Sequence, residues 1–184
     1  MPPPRKKPQP ARQSPQPASP DEEELLPVTR DCAVKVKLQK TGLWSFVQPR
    51  CVREREMDLE DVEGMLDAEE VEIARDELRW LLEGCPDNIA IHYWLGDLAM
   101  REQDVKLARG HYGYAYEIGR RALRKENFPT PLPMANEENE LWFAAAKQLA
   151  WCLKLLEKKD LLSDVVKFVQ HCDPQNTLQL EALL

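Results

Sequence analysis

Histidine is the side chain best suited to acid-base or metal chemistry near neutral pH, and this chain has three: His92, His111 and His171. Two of them fall in one dense stretch, HYWLGDLAMREQDVKLARGHYGYAY (92–116), beside four tyrosines and a tryptophan. A helical metal or general-base site needs a second ligand one turn away, as in HExxH, and none of the three has a carboxylate or imidazole at that spacing. A phosphate-holding glycine loop stands between a strand and a helix and is followed by Lys-Ser/Thr; RGHYGYAYEIG (109–119) has neither and reads as helix. The cysteines, Cys32, Cys51, Cys85, Cys152 and Cys172, are scattered, odd in number and free of any CxxC pair. That spacing predicts reduced, small apolar residues with neither a disulfide framework nor a metal site. No Ser-His-Asp or Cys-His pairing is legible. The expectation is a non-catalytic chain with no catalytic residue, metal or cofactor.

What such residues do then depends on the scaffold. The formal net charge of −7 disfavours a nucleic-acid footprint over the whole body, since phosphate binding needs a clustered positive surface. No run of about 18 apolar residues exists to span a bilayer. The N-terminus carries charge and proline where a secretory signal needs an apolar stretch. These features, with the cysteine pattern, predict a cytoplasmic protein.

Residues 1–27, MPPPRKKPQPARQSPQPASPDEEELLP, are dense in proline, with a basic cluster (Arg5, Lys6, Lys7, Arg12) before an acidic one (Asp21 to Glu24). So little apolar surface cannot offset the entropy of ordering, which predicts a disordered, partly polyproline-like tail. PRKKP has the composition of an import or nucleic-acid patch, but short basic runs are common in solvated tails. Residues 28–50 read as a short β-hairpin. Cys32, Val34, Val36 and Leu38 alternate with Ala33, Lys35, Lys37 and Gln39, a Lys-Thr-Gly break follows, and Leu43 to Val47 form a second β-prone run. Two strands alone are marginal in water, so the hairpin must dock on something.

From Asp58 the period becomes helical. Leu59, Val62, Met65 and Leu66 mark a short helix; Val71, Ala74, Leu78, Leu81 and Leu82 mark a second, opened by a variant capping box at Asp67 to Glu70 and ended by GCPDN (84–88). Asn88 caps a third helix, a break near Gln103 and Asp104 starts a fourth, and FPTPLP (128–133) stops it. Asn136 begins a long helix to about Lys158 that is apolar on nearly every side. A last helix turns Leu162, Val165, Val169 and Cys172 inward, and residues 177–184 form a weak tail. Gly110, Gly113 and Gly119 each cost about 1 kcal/mol in a helix relative to alanine, and close approach of another backbone is the simplest compensation.

Sliding the sequence by 34 residues places Val71 on Val105, Ala74 on Ala108, Leu78 on Tyr112 and Leu81 on Ala115. This is the period of the tetratricopeptide repeat, and residues 55–176 resemble that family. Leu95-Gly96 resembles its Leu-Gly pair, Asp104 its turn residue, Ala108, Tyr112 and Ala115 its small-aromatic-small ladder, and Pro86 the proline closing a unit. Gln103 stands where the family usually has glycine, and Ala99 where it often has tyrosine. The stretch AWCLKLLEKKDLLSDVVKFVQHCDP (150–174) resembles a third unit that lacks the ladder alanines. The resemblance implies a mainly α fold of antiparallel helical hairpins, a fragment of an α-solenoid, preceded by the β-hairpin and the tail. It also implies a concave groove lined by Asn88, Tyr93, Asp97, Met100 and Arg101, which holds a protein or peptide partner. The carboxylate-gripping groove of the family uses Lys and Asn where Tyr93 and Asp97 stand, so that ligand has no support. A second reading makes the chain a structural subunit that buries its faces in a homo-oligomer, with Trp142, Phe143 and Trp151 at the contact.

Overall fold

The structure, a computed structural model, describes residues 32–184. The tail expected over 1–27 and the first residues of the expected hairpin, Val28 to Asp31, lie outside the described residues. Two strands, β1 (Lys35–Leu38) and β2 (Trp44–Val47), pair antiparallel with Val36 opposite Phe46 and Leu38 opposite Trp44. A single turn, α1 (Arg50–Arg53), leads into α2 (Glu56–Asp67), α3 (Val71–Gly84), α4 (Ile89–Arg101), α5 (Val105–Lys125), α6 (Glu137–Leu155) and α7 (Lys159–Cys172). A 3-10 turn, Leu180–Leu183, closes the chain and buries Leu180 in the core.

The helices come as three hairpins, α2–α3, α4–α5 and α6–α7, and all three turn in the same way. Each first helix ends on a cap residue (Ala68, Glu102, Leu156). A left-handed residue follows (Glu69, φ 61°; Gln103, φ 63°; Glu157, φ 56°), and the second helix begins two residues later. In each turn the N–H after the left-handed residue reaches back five residues: Glu70 to the Met65 carbonyl, Asp104 to Ala99 and Lys158 to Leu153. This is a Schellman closure, which satisfies the carbonyls left open at a helix end. The capping box expected at Asp67 to Glu70 does not form. Asp67 is the last residue of α2, and Glu70 precedes α3 without a side-chain cap. Asn88, Asp104 and Asn136 do cap α4, α5 and α6.

Counted from these turns, corresponding positions are buried in all three second helices: Ala74, Leu78 and Leu81 in α3; Ala108, Tyr112 and Ala115 in α5; Leu162, Val166 and Val169 in α7. Two apolar clusters result. A small one joins α2, α3 and one side of α4 around Val62, Leu78, Ile91 and Leu95. A larger one joins the other side of α4 to α5, α6, α7 and the β-hairpin. Both therefore meet on α4.

The hairpin docks through Phe46, whose ring lies 5.4 Å from that of Trp142 on α6. The buried Asn139 fixes its register. The Asn139 Oδ1 accepts the Phe46 N–H at 2.9 Å, while Nδ2 donates to the carbonyls of Trp44 at 3.1 Å and Pro133 at 2.9 Å. Glycine compensation differs from the expectation. At Gly96 a Cβ would strike the Tyr112 ring, and at Gly119 it would strike the Trp142 indole and the Phe46 ring, so side chains make the close approach. Among the described residues a Cβ at Gly110 would meet no neighbour within 4 Å, and one at Gly113 would meet only Leu149, at 3.7 Å.

The cysteine expectation is also corrected. Cys51 and Cys85 form a disulfide with Cα atoms 5.7 Å apart, joining α1 to the end of α3. The helical hairpin α2–α3 brings together two residues 34 apart in sequence, which spacing alone does not reveal. The argument from cysteines to a reducing compartment falls with it. Cys152 and Cys172 are free and buried, where burial pushes their thiols up to about 11 and about 12 respectively. Among the described residues no helix is long and apolar enough to cross a membrane.

Candidate functional site

The solvent face of α4 carries Tyr93, Trp94, Asp97, Met100 and Arg101 at three- and four-residue steps, so the side chains form one stripe. The opposite residues, Ile91, Leu95 and Leu98 toward α2–α3 and Ile89, Gly96 and Ala99 toward α5, are buried and fix that orientation. The stripe lies between α2 and α6. A shallow pocket of about 270 Å³ on the α2 side is bounded by Glu63, Leu66 and Asp67 from α2 and by Trp94, Asp97 and Arg101 from α4. On the α6 side Gln148 bonds the Tyr93 hydroxyl, and the Cys152 sulfur lies 3.8 Å from that of Met100.

Asp97 is the electrostatic centre of the stripe. The Tyr112 hydroxyl, reaching from α5 past Gly96, donates to its Oδ1. Burial raises the Asp97 carboxyl above the usual carboxylate range, opposed by hydrogen bonds from Tyr112 and Tyr93 and by the nearby Arg101 charge. Burial likewise raises the hydroxyls of Tyr93 and Tyr112, and the Asp97 charge adds to both. The Tyr93 and Tyr112 rings are 5.8 Å apart. Arg101 is exposed and forms no ion pair among the described residues. Its guanidinium is left to face solvent or a ligand.

The expected groove residues are thus placed unequally. Tyr93, Asp97, Met100 and Arg101 share the stripe. Asn88 does not: it is fully buried, its Oδ1 accepting from the Ala90 and Ile91 N–H groups as the cap of α4. Pro86 stands in the turn before it, where its carbonyl accepts from His92. Leu95 and Gly96 lie inside, with Ala74, Leu78, Ala108, Tyr112 and Ala115. Sequence reading left out Trp94, Gln148 and the acidic wall of α2. The signal was present for Trp94, one residue from Tyr93, but the α2 and α6 walls come from turns that align all three first helices. Of the tryptophans and phenylalanine assigned to an oligomer contact, Trp142 and Phe143 are buried inside the monomer; Trp151 is 43% exposed.

The histidines form no such site. His92 is buried beside Tyr114, ring centroids 4.4 Å apart, with His111 at 5.9 Å. Its Nε2 lies 3.0 Å from the Pro86 carbonyl, which only accepts, so the proton resides on Nε2. Among the described residues the buried Nδ1 has no hydrogen-bond partner. Burial lowers the His92 imidazole to about 4 and also lowers that of His111, so both are neutral near pH 7. Among the described residues no three His, Cys, Asp or Glu converge on a metal-sized space. Compared with family models, with curated proteins and with solved structures, the chain matches none of them.

Proposed function

We propose that this chain is a non-catalytic interaction scaffold of tetratricopeptide-like build, whose first helices α2, α4 and α6 present a face for an extended peptide of a protein partner. The observation that carries the reading is the α4 stripe, where an aromatic pair (Tyr93, Trp94), a half-buried carboxylate (Asp97) and a guanidinium without an ion pair among the described residues (Arg101) share one solvent face. Aromatic residues and arginine are the types that anchor protein contacts, through large buried area and charge-assisted hydrogen bonds.

The three equal turns extend the stripe sideways. Counting back from each turn, Asp97 corresponds to Glu63 on α2 and to Trp151 on α6, and Arg101 to Asp67 and Leu155. Trp151 and Leu155 are 43% and 49% exposed. The face therefore changes from acidic on α2, through mixed on α4, to Trp151 and Leu155 flanked by the exposed Lys147 and Lys154 on α6. A complementary peptide carries cationic residues at one end and large apolar residues beside an acidic one at the other.

Panning a random peptide display library against the full chain tests this. The expected consensus has that asymmetry, and Tyr93→Ala with Arg101→Ala abolishes capture while far-ultraviolet circular dichroism is retained. Capture by the folded double variant equal to that by the parent rejects the α4 face as the site.

A further inference from the structure

The three helical hairpins stand in a row, and the row has two ends. At the α6–α7 end the last residues fold back on the helices: Leu180 is buried, Leu178 and Leu183 pack against the larger cluster, and Gln170 of α7 donates to Glu181 at 3.2 Å. The α2–α3 end is different. Counted back from the turns, Met57, Asp61 and Gly64 of α2 correspond to Ile91, Leu95 and Leu98 of α4, which are buried against α2–α3. They also correspond to Ala145, Leu149 and Cys152 of α6, likewise buried. On α2 all three positions are exposed, Met57 by 78%. Ile73 and Trp80 of α3, two turns apart and so on one side of the helix, are 56% and 59% exposed, with Glu77 between them. The other side of α3 turns toward the row: Arg75 bonds Glu102 at the end of α4, and Arg79 lies within electrostatic reach of His111 on α5. A row that ends in water carries a polar outer face. This end instead carries Met57, Ile73 and Trp80. A Cβ at Gly64 would meet no neighbour within 4 Å among the described residues, so nothing in the fold requires that glycine, and its backbone is open to close approach.

Charge selects the occupant. Asp61 and Glu77 lie on this end and form no ion pair among the described residues, and α2 contains no basic residue. The arginines of this region are engaged elsewhere. Arg75 holds Glu72 and Glu102, Arg79 holds Asp76 at 3.3 Å, and Arg55, at the edge, lies over Gly84 and donates to the Cys51 carbonyl at 3.3 Å. A second copy set end to end would bring these carboxylates against their own counterparts, a like-charge contact that disfavours association. We propose that the α2–α3 end docks a cationic amphipathic helix of another protein, whose apolar side covers Met57, Ile73 and Trp80 and whose Lys or Arg residues pair with Asp61 and Glu77. Such a helix occupies the place on α2–α3 that α2–α3 itself occupies on α4, where Ile91, Leu95 and Leu98 are covered. Apolar anchors one and two turns apart are what an amphipathic helix offers, and exposed apolar side chains rimmed by polar ones are what it recognises. The site is separate from the α4 face, because α2 presents Glu63 and Asp67 to that face and Met57 and Asp61 to the end.

A display library of helical peptides, with a fixed leucine stripe at i, i+3, i+4 and i+7 and randomised flanks, tests the proposal when panned against the full chain. Captured sequences carry Lys or Arg beside the stripe. Capture falls at least about tenfold in Met57→Ser/Trp80→Ser, which removes two large apolar anchors from the surface. Tyr93→Ala/Arg101→Ala, which alters only the α4 face, leaves it unchanged. Asp61→Lys/Glu77→Lys reverses the flank preference to Asp and Glu. No enrichment, enrichment without the cationic preference, or equal capture by the folded Met57→Ser/Trp80→Ser variant overturns the proposal. Loss of capture in Tyr93→Ala/Arg101→Ala also overturns it and assigns the peptides to the α4 face. Self-association of the parent in sedimentation that Trp80→Ser abolishes overturns it as well, because the end then holds a second copy. Should Met57→Ser/Trp80→Ser not fold, the charge-reversed variant decides alone, since it leaves every apolar side chain in place.

Discussion

His92 is neutral inside the fold because burial resists a charge, an effect that the Nε2 hydrogen bond to the Pro86 carbonyl opposes only in part. Its folded value, about 4, lies below the 6.5 of the exposed side chain. The unfolded chain therefore takes up a proton at this position before the folded one does. Stability from this group is complete above about pH 6.5, falls as pH drops toward 4, and levels off below. The full loss amounts to about 3 kcal/mol. His92→Gln, which keeps a donor for Pro86, should flatten the denaturation midpoint over that pH window. An unchanged slope between pH 6.5 and 4 would assign the acid sensitivity to other groups, of which His111, lowered in the same sense, is the first to test. Packing at residue scale is equally specific. Ala108 is fully buried at the ladder step facing α4, and Ala108→Trp should cost about 1–3 kcal/mol by overpacking, read as a lower urea midpoint. Both residues stood out in the sequence, His92 as candidate chemistry and Ala108 as packing, and the structure gives each to packing.

At the scale of elements, the turns and caps decide the architecture. The helices from α2 to α7 were legible because a 3.6-residue period, asparagine caps and proline stops act locally, so Asn88, Asn136 and FPTPLP work within a few residues of themselves. The Asp67–Glu70 cap was misread for a reason of the same kind. A run of Asp and Glu between helices resembles a capping box, but here the run spans the end of one helix, a left-handed residue and the start of the next. That left-handed position gives a direct test. Gln103 has φ 63°, a conformation that a Cβ disfavours by roughly 1–2 kcal/mol, offset in part by the greater chain entropy of glycine. Gln103→Gly should raise the melting temperature slightly or leave it unchanged, whereas Gln103→Val should lower it. The hairpin, by contrast, depends on a long-range contact that no local pattern showed. Asn139→Leu would leave the Phe46 N–H and the Trp44 and Pro133 carbonyls without their partner, at about 1–3 kcal/mol for each group that stays buried and unpaired. Faster amide exchange in β1 and β2 than in α4 would show that Asn139 is their anchor, and uniform exchange would show that Phe46 alone suffices.

For the whole molecule, the 34-residue spacing read from the sequence holds between α3 and α5 and not beyond. Ala74 to Ala108 is one period; the corresponding step from Ala108 to Leu162 is longer, because α5 and α6 exceed α3 and α4 in length and a proline-containing connection, residues 126–136, intervenes. The ladder alanines are also replaced by Leu162 and Val169 in α7. A fixed-period comparison therefore finds the first step and misses the second, although the turns are the same. Three stacked hairpins bury their faces against neighbours, so an end hairpin has one neighbour and less support. Here that end is α2–α3, held by the smaller cluster around Val62, Leu78 and Leu95. The Cys51–Cys85 bond acts where that support is least, because the loop it closes contains both α2 and α3. Closing such a loop removes unfolded-chain entropy and typically stabilises by about 2–4 kcal/mol. Cys51→Ala/Cys85→Ala, or a reductant acting on the parent, should therefore speed amide exchange in α2 and α3 well before it affects α5 and α6. Equal acceleration in all six helices would mean that the chain unfolds as one cooperative unit and that the bond stabilises the whole stack.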